Sequence, residues 1–286
     1  MGNRVTCRTR ALAPFSSKDT PSLKSNPLGL RTFNYAGPNR LRLMADQLLF
    51  LASFAIGIVP ALALMWLGLR RYTYPRVEKA LFDDRRIFFS LAVGLVMGTL
   101  SSLISLNLPR FDLASVLIAL AATAMFEETF KLVYLNRKGY RQNFSSTFYG
   151  FALGLGIAAT VVLSFGLGNP NLTTDPLTFI LLAMFSLGFA AMEATTGALI
   201  GYGCSKGLPW SYLLRALFAR LVYTIPAVPF LLSLGPEWLI YLSIFASLGV
   251  GLSSYFFAHS ITFQETLPPE FRRRARKERR ARARKD

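Results

Sequence analysis

Residues 147–168 read TFYGFALGLGIAATVVLSFGLG, 22 residues without one charged side chain. At about 1.5 Å per residue, a helix of that length spans the roughly 30 Å hydrocarbon layer of a bilayer. The stretch lacks the period-two alternation of a half-buried strand, and an open strand in lipid leaves its backbone polar groups unsatisfied. It reads as a transmembrane helix. Working outward, six similar runs appear, at 48–69, 87–107 and 113–135 before it and at 177–203, 211–234 and 238–258 after it. Turn chemistry separates several of them: Asn107-Leu108-Pro109, Asn169-Pro170-Asn171, Gly207-Leu208-Pro209 and Gly235-Pro236. The expected fold class is all-α, a polytopic integral membrane bundle of about seven helices.

The composition fits that reading once its charge is located. The 286 residues are 52 % apolar and 16 % charged, with a formal charge of +17. Residues 1–43 carry +7 and residues 271–286 carry +8, which leaves only +2 for everything between. A basic globular nucleic-acid-binding body is therefore excluded, and no nucleic acid partner is expected. The expected division is a basic, disordered N-terminal extension or leader at 1–43, a transmembrane helical domain at 44–260, and a basic cytoplasmic tail at 261–286. The partners expected are the bilayer itself, whose anionic headgroups suit the tail, and a membrane-protein substrate or partner helix. Cys7 and Cys204 are too few and too far apart for a disulfide scaffold or a CxxC site.

Loop charges give an orientation. Loop 1 carries Arg70, Arg71, Arg76, Lys79, Arg85 and Arg86, loop 2 only Arg110, and loop 3 Arg137, Lys138 and Arg141. Loops 4 and 6 have no Lys or Arg, while Lys206 lies in loop 5. The positive-inside rule then places loops 1, 3 and 5 and the C-terminus in the cytoplasm and the N-terminus outside. The basic N-terminal segment runs against that rule. It reads either as a targeting leader or as sequence preceding a start at Met44, with the second account favoured.

Ionisable residues inside spans are costly and mark functional candidates. The third run holds Glu127, Glu128 and Lys131, the fifth holds Glu193, and the sixth holds Arg215 and Arg220. Counted from the helix ends, Glu127, Glu128, Glu193 and Arg220 lie at one depth, roughly 10–15 Å from the cytoplasmic ends. They are expected to face one another across the bundle interior. Glu127 and Lys131 share a face at i, i+4, and Glu128 points about 100° away, so one carboxylate can pair with Lys131 while the other faces a cavity. Lys131 could alternatively snorkel to the interface. The group reads equally as a register-fixing ion-pair network, with Glu193 paired to Arg220, or as a site that binds a cation or activates water. His259, the sole histidine, reads as interfacial. The pairs Gly94/Gly98, Gly150/Gly154 and Gly197/Gly201 are GxxxG faces for close helix packing.

Glu127-Glu128-Thr129-Phe130-Lys131 resembles the EExxK motif of the PrsW family of membrane-embedded proteases. Phe148–Ala159 resembles that family's YG-xxx-GLG-FA segment, and Glu193–Gly203 resembles its histidine-led segment ending in GYG. Order and separation agree over residues 44–260. Three departures stand out. Val161-Val162 follows Thr160 where the family has Glu-Asn, Glu193 replaces the leading histidine, and Arg220-Leu-Val-Tyr-Thr224 stands nearest the final histidine segment. The resemblance implies a PrsW-like intramembrane peptidase with a glutamate-based site that a metal could assist. Glu127 or Glu128 is then general base or ligand, Lys131 an orienting charge, and Glu128 with Glu193 the metal pair. Arg220, Thr196 and His259 are supporting residues. The cofactor is unknown. A divalent metal suits carboxylates, whereas zinc is disfavoured by the missing histidines. The alternative is a catalytically inactive PrsW-like scaffold or partner-binding protein whose buried charges are structural.

Overall fold

A computed structural model describes residues 38–73, 81–107, 113–168, 176–232 and 234–266, which contain no strand. The helices are α1 (Pro38–Leu69), α2 (Asp84–Asn107), α3 (Leu113–Leu135), α4 (Ser146–Gly168), α5 (Pro176–Lys206), α6 (Pro209–Leu231) and α7 (Glu237–Phe257). A π-helical turn, Ala258–Thr262, joins α7 to a last short helix, α8 (Phe263–Thr266). Seven of these are long and apolar enough to cross a membrane, so the chain is a multi-pass helical membrane protein. Contacts divide the chain into two units, 1–43 and Met44–Asp286, and the helical bundle belongs to the second. Most of the basic N-terminal segment, Cys7, the tail beyond Thr266, and the loop residues Arg76, Lys79 and Arg110 lie outside the described residues.

Helix ends differ from the apolar runs where polar residues continue a helix. The first helix begins at Pro38 rather than at 48. The sixth ends at Leu231 rather than at 234, since Leu232 leaves helical geometry three residues before Gly235, whose φ is +86°. At the C-terminal side, helical structure passes the expected tail boundary at 261 and continues to Thr266. Phe263 explains this extension, because its ring packs between Phe148 and Phe151 of α4, at 5.3 Å from each. The Thr266 hydroxyl adds a 3.0 Å hydrogen bond with Thr147.

Small residues place α4 at the centre. Its apolar window is 72 % buried, against 17 % for α3. On one side Gly150 and Gly154 lie directly against the backbone carbonyls of Gly197 and Glu193 in α5. On the other, Gly94 of α2 lies against the carbonyl of Leu153, and Gly156 against that of Leu91. The expected GxxxG faces are thus the seams of the bundle, where absent side chains let backbones approach. A Cβ at Gly154 would strike a carbonyl oxygen that cannot rotate away, in the residue that carries Glu193. Gly154→Ala is accordingly expected to destabilise by about 1–3 kcal/mol. Gly249→Ala, with nothing within 4 Å of the added carbon, should be neutral or mildly stabilising. Thermal denaturation of the two variants in detergent checks the contrast.

The ends of the bundle differ. At one end meet Tyr72 after α1, the Leu81 carbonyl that accepts from Ser145, the 134–146 turn, and Cys204, whose carbonyl accepts from the Gln142 amide. The outward faces are apolar, with Val96, Ile118, Phe218 and Ile225 all about 70 % exposed. Glu127, Glu128 and Lys131 of α3 and Glu193 of α5 are turned inward, the arrangement lipid imposes.

Candidate functional site

The buried surface of α3 is confined to Ala124, Glu127, Glu128, Lys131, Leu132, Tyr134 and Leu135. A helix so little covered by apolar packing is held largely through its charges. Lys131 is wholly buried, and its ammonium donates to Glu128 Oε1 at 2.8 Å, Glu193 Oε2 at 2.6 Å and Thr196 Oγ1 at 2.7 Å. An ammonium has three donors, and all three are used. Arg220 of α6 donates from Nη2 to Glu127 Oε2 at 2.7 Å and forms a second ion pair, from Nη1, with Glu193 Oε1. Its guanidinium also lies 4.7 Å from the ring centre of Phe189. Glu193 is therefore shared between both cations, and α3, α5 and α6 are tied at one point.

The four residues expected at one depth do meet. The sequence left open which α3 carboxylate pairs with Lys131: it is Glu128, at i, i+3, and not Glu127 at i, i+4. Both spacings lie on one helical face, so the choice falls to the neighbours. Glu193 and Thr196 draw the ammonium toward α5, while Arg220 takes Glu127. The same contacts decide against the snorkelling alternative for Lys131, which is 0 % exposed. The expected Glu193–Arg220 pair is present. Thr196 joins the cluster as an acceptor and donates in turn to the Glu193 backbone carbonyl at 3.2 Å.

Two other candidates lie elsewhere. His259 sits in the π-helical turn, with its ring centre 6.1 Å from that of Tyr72, 6.4 Å from Tyr255 and 5.8 Å from Phe263. None of these partners belongs to the charge cluster. Arg215 is exposed, with its guanidinium 4.6 Å from the ring centre of Tyr212.

A cavity of about 340 Å³ opens between α2, α3, α4, α5 and α6, toward the end opposite Tyr72. Its walls mix hydroxyls, Ser101, Ser105, Thr123 and Ser164, with the rings of Phe165 and Phe185. Glu127 and Arg220 line it, whereas Glu128, Lys131 and Glu193 do not. Ser101 donates a short hydrogen bond to Glu127 Oε1. Ser101 was not among the residues expected from the sequence. Its signal is the Ser101-Ser102…Ser105 group within an otherwise apolar span.

The residues present do not suit a divalent metal bridging Glu128 and Glu193. The Lys131 ammonium already stands between those carboxylates, and the Arg220 guanidinium opposes a further cation. Among the described residues no group of three His, Cys, Asp or Glu side chains could hold a metal ion. Three carboxylates and two cations leave a formal charge of −1, and Glu128 Oε2 has no hydrogen-bond partner among the described residues. What the arrangement offers chemically is one carboxylate at a cavity wall, oriented by a hydroxyl and a guanidinium, backed by a sealed ionic layer. No protein-family model, curated protein or solved structure matches the chain.

Proposed function

We propose that this chain is a PrsW-like intramembrane peptidase in which Glu127 is the general base, acting on a polypeptide segment lodged in the cavity. The observation that carries the reading is the division of labour within EExxK. Its first glutamate lines a membrane-embedded cavity, and its second is buried against Lys131. Water in the cavity gives a proton to Glu127 as its oxygen attacks the substrate carbonyl. Arg220 stabilises the oxygen that gains charge, and Glu127 returns the proton to the departing amine. Lys131 and Glu128 act as positioning residues. We place the protein in the cell membrane, and the Lys/Arg distribution supports a cytoplasmic C-terminus.

A second reading rests on the completeness of the pairing. Every charged group in the cluster has an opposite charge within reach, as a non-catalytic scaffold for partner helices would have. The two readings separate in proteoliposomes. Purified protein is incubated with a pool of solubilised membrane proteins, and new N-termini are counted by mass spectrometry. The peptidase reading expects new termini with the wild type and a loss of about 10²–10⁴-fold in Glu127→Gln. That variant keeps an oxygen for Arg220 to donate to, and its amide can donate to the Ser101 hydroxyl in place of accepting from it, so it should remain folded. No new termini from folded wild-type protein would leave the scaffold.

A further inference from the structure

The end of the bundle away from the cavity carries a second concentration of cationic groups that the proposed chemistry does not use. The apolar span of α1 closes at Leu69, and Arg70 and Arg71 follow at once. The Arg70 guanidinium carbon lies 5.0 Å from the ring centre of Trp66, one turn back. Trp66 itself is 63 % exposed on the outer face. Arg70 Nε, by contrast, is buried and has no hydrogen-bond partner among the described residues. Opposite stands the end of α7. Tyr255 donates to the Leu64 carbonyl at 3.2 Å, which pins α7 to α1. His259, on the next turn, lies in the field of Arg71 and Arg70. No described carboxylate acts on either Tyr255 or His259.

We infer that Arg70, backed by Arg71 and His259 and flanked by Trp66, forms a binding site for the phosphodiester of one anionic membrane lipid. A guanidinium presents Nε and Nη donors in a fork that matches two oxygens of a phosphate, and among the described residues no acceptor holds the Arg70 Nε within the bundle, so the fork can turn to a headgroup. The source is a lipid rather than dissolved phosphate because of what adjoins the charge. Trp66 marks the headgroup level, as interfacial tryptophans do. Below it, Leu62 and Val59 continue an exposed apolar track, at 43 % and 60 %, along which an acyl chain can lie. Arg70 and Arg71 sit one and two residues beyond the last apolar position of the span, at the depth of a lipid phosphate.

Native mass spectrometry of the full chain, released from mixed micelles holding equal phosphatidylglycerol and phosphatidylcholine, tests the inference. One phosphatidylglycerol should be retained per chain in preference to phosphatidylcholine. Arg70→Ala should cut that retention about tenfold, the loss of one charge-assisted hydrogen-bonded contact. Arg70→Lys keeps the charge but not the fork, and should fall between the two. Arg85→Ala, an exposed cation at the same end, should leave retention unchanged. Each variant is first shown to elute as a folded species. Equal retention by wild type and Arg70→Ala, or an equal loss in Arg85→Ala, would reduce the site to general charge attraction and overturn it. Displacement of the lipid by millimolar inorganic phosphate would overturn the lipid as its occupant.

Discussion

Arg220→Ala is expected to be among the most damaging single substitutions in the chain, at about 3–5 kcal/mol, because it strips the counter-charge from two buried carboxylates. Glu127 and Glu193 would then face each other's field with only Lys131 nearby, and the cluster would move from −1 to −2 in an interior that solvates charge poorly. The prediction is sharpened by its partner. Removing a carboxylate together with the cation, in Arg220→Ala with Glu127→Gln, returns the formal charge to −1 and should recover more than half of the loss. Thermal unfolding in detergent of the two singles and the double gives the coupling directly. An additive double would mean that Arg220 matters for its bulk against Phe189, not for its charge.

The second large effect belongs to Lys131. Lys131→Met removes the donor to three buried acceptors at once and is expected to cost about 3–5 kcal/mol. Lys131→Arg is the more informative change. The ammonium acts as a point from which three donors reach acceptors on two helices, and a planar guanidinium cannot reproduce that geometry within a filled space. A loss of about 1–3 kcal/mol is expected for Lys131→Arg, which retains full charge. If the arginine variant unfolds at the wild-type temperature, the site is looser than its distances imply.

These effects bear on how the two functional readings relate. An ionic layer of Glu128, Lys131, Glu193 and Thr196 fixes α3 against α5 and is shut off from the cavity. Glu127 and Arg220 form the boundary between that layer and the cavity. A network can thus be structural on one side and reactive on the other, so full pairing does not by itself exclude chemistry at Glu127. The decisive comparison is Glu127→Gln, which should spare stability far more than Arg220→Ala while abolishing cleavage.

Run length and composition alone located the seven helices, since a span in lipid is dictated locally: each run must satisfy its own backbone and expose apolar side chains. The GxxxG faces were legible for a similar reason, because the absence of side chains is written in the sequence and determines where backbones can touch. The depth of Glu127, Glu193 and Arg220 followed from counting along helices of fixed rise. What counting cannot supply is the rotation of each helix about its axis. That rotation is set at Gly154 and Gly156 for α2, α4 and α5 and by the contacts to Glu193, Thr196 and Arg220 for α3, and it decided that Glu128 rather than Glu127 holds Lys131. It also brought Ser101 to Glu127 and left the cavity on one side of the charges. The extension of α7 to Thr266 likewise came from distant partners, Phe148, Phe151 and Thr147, whose packing no local pattern around 258–266 contains. Sequence therefore determined which residues are in the membrane and at what level, and tertiary structure decided which of them touch.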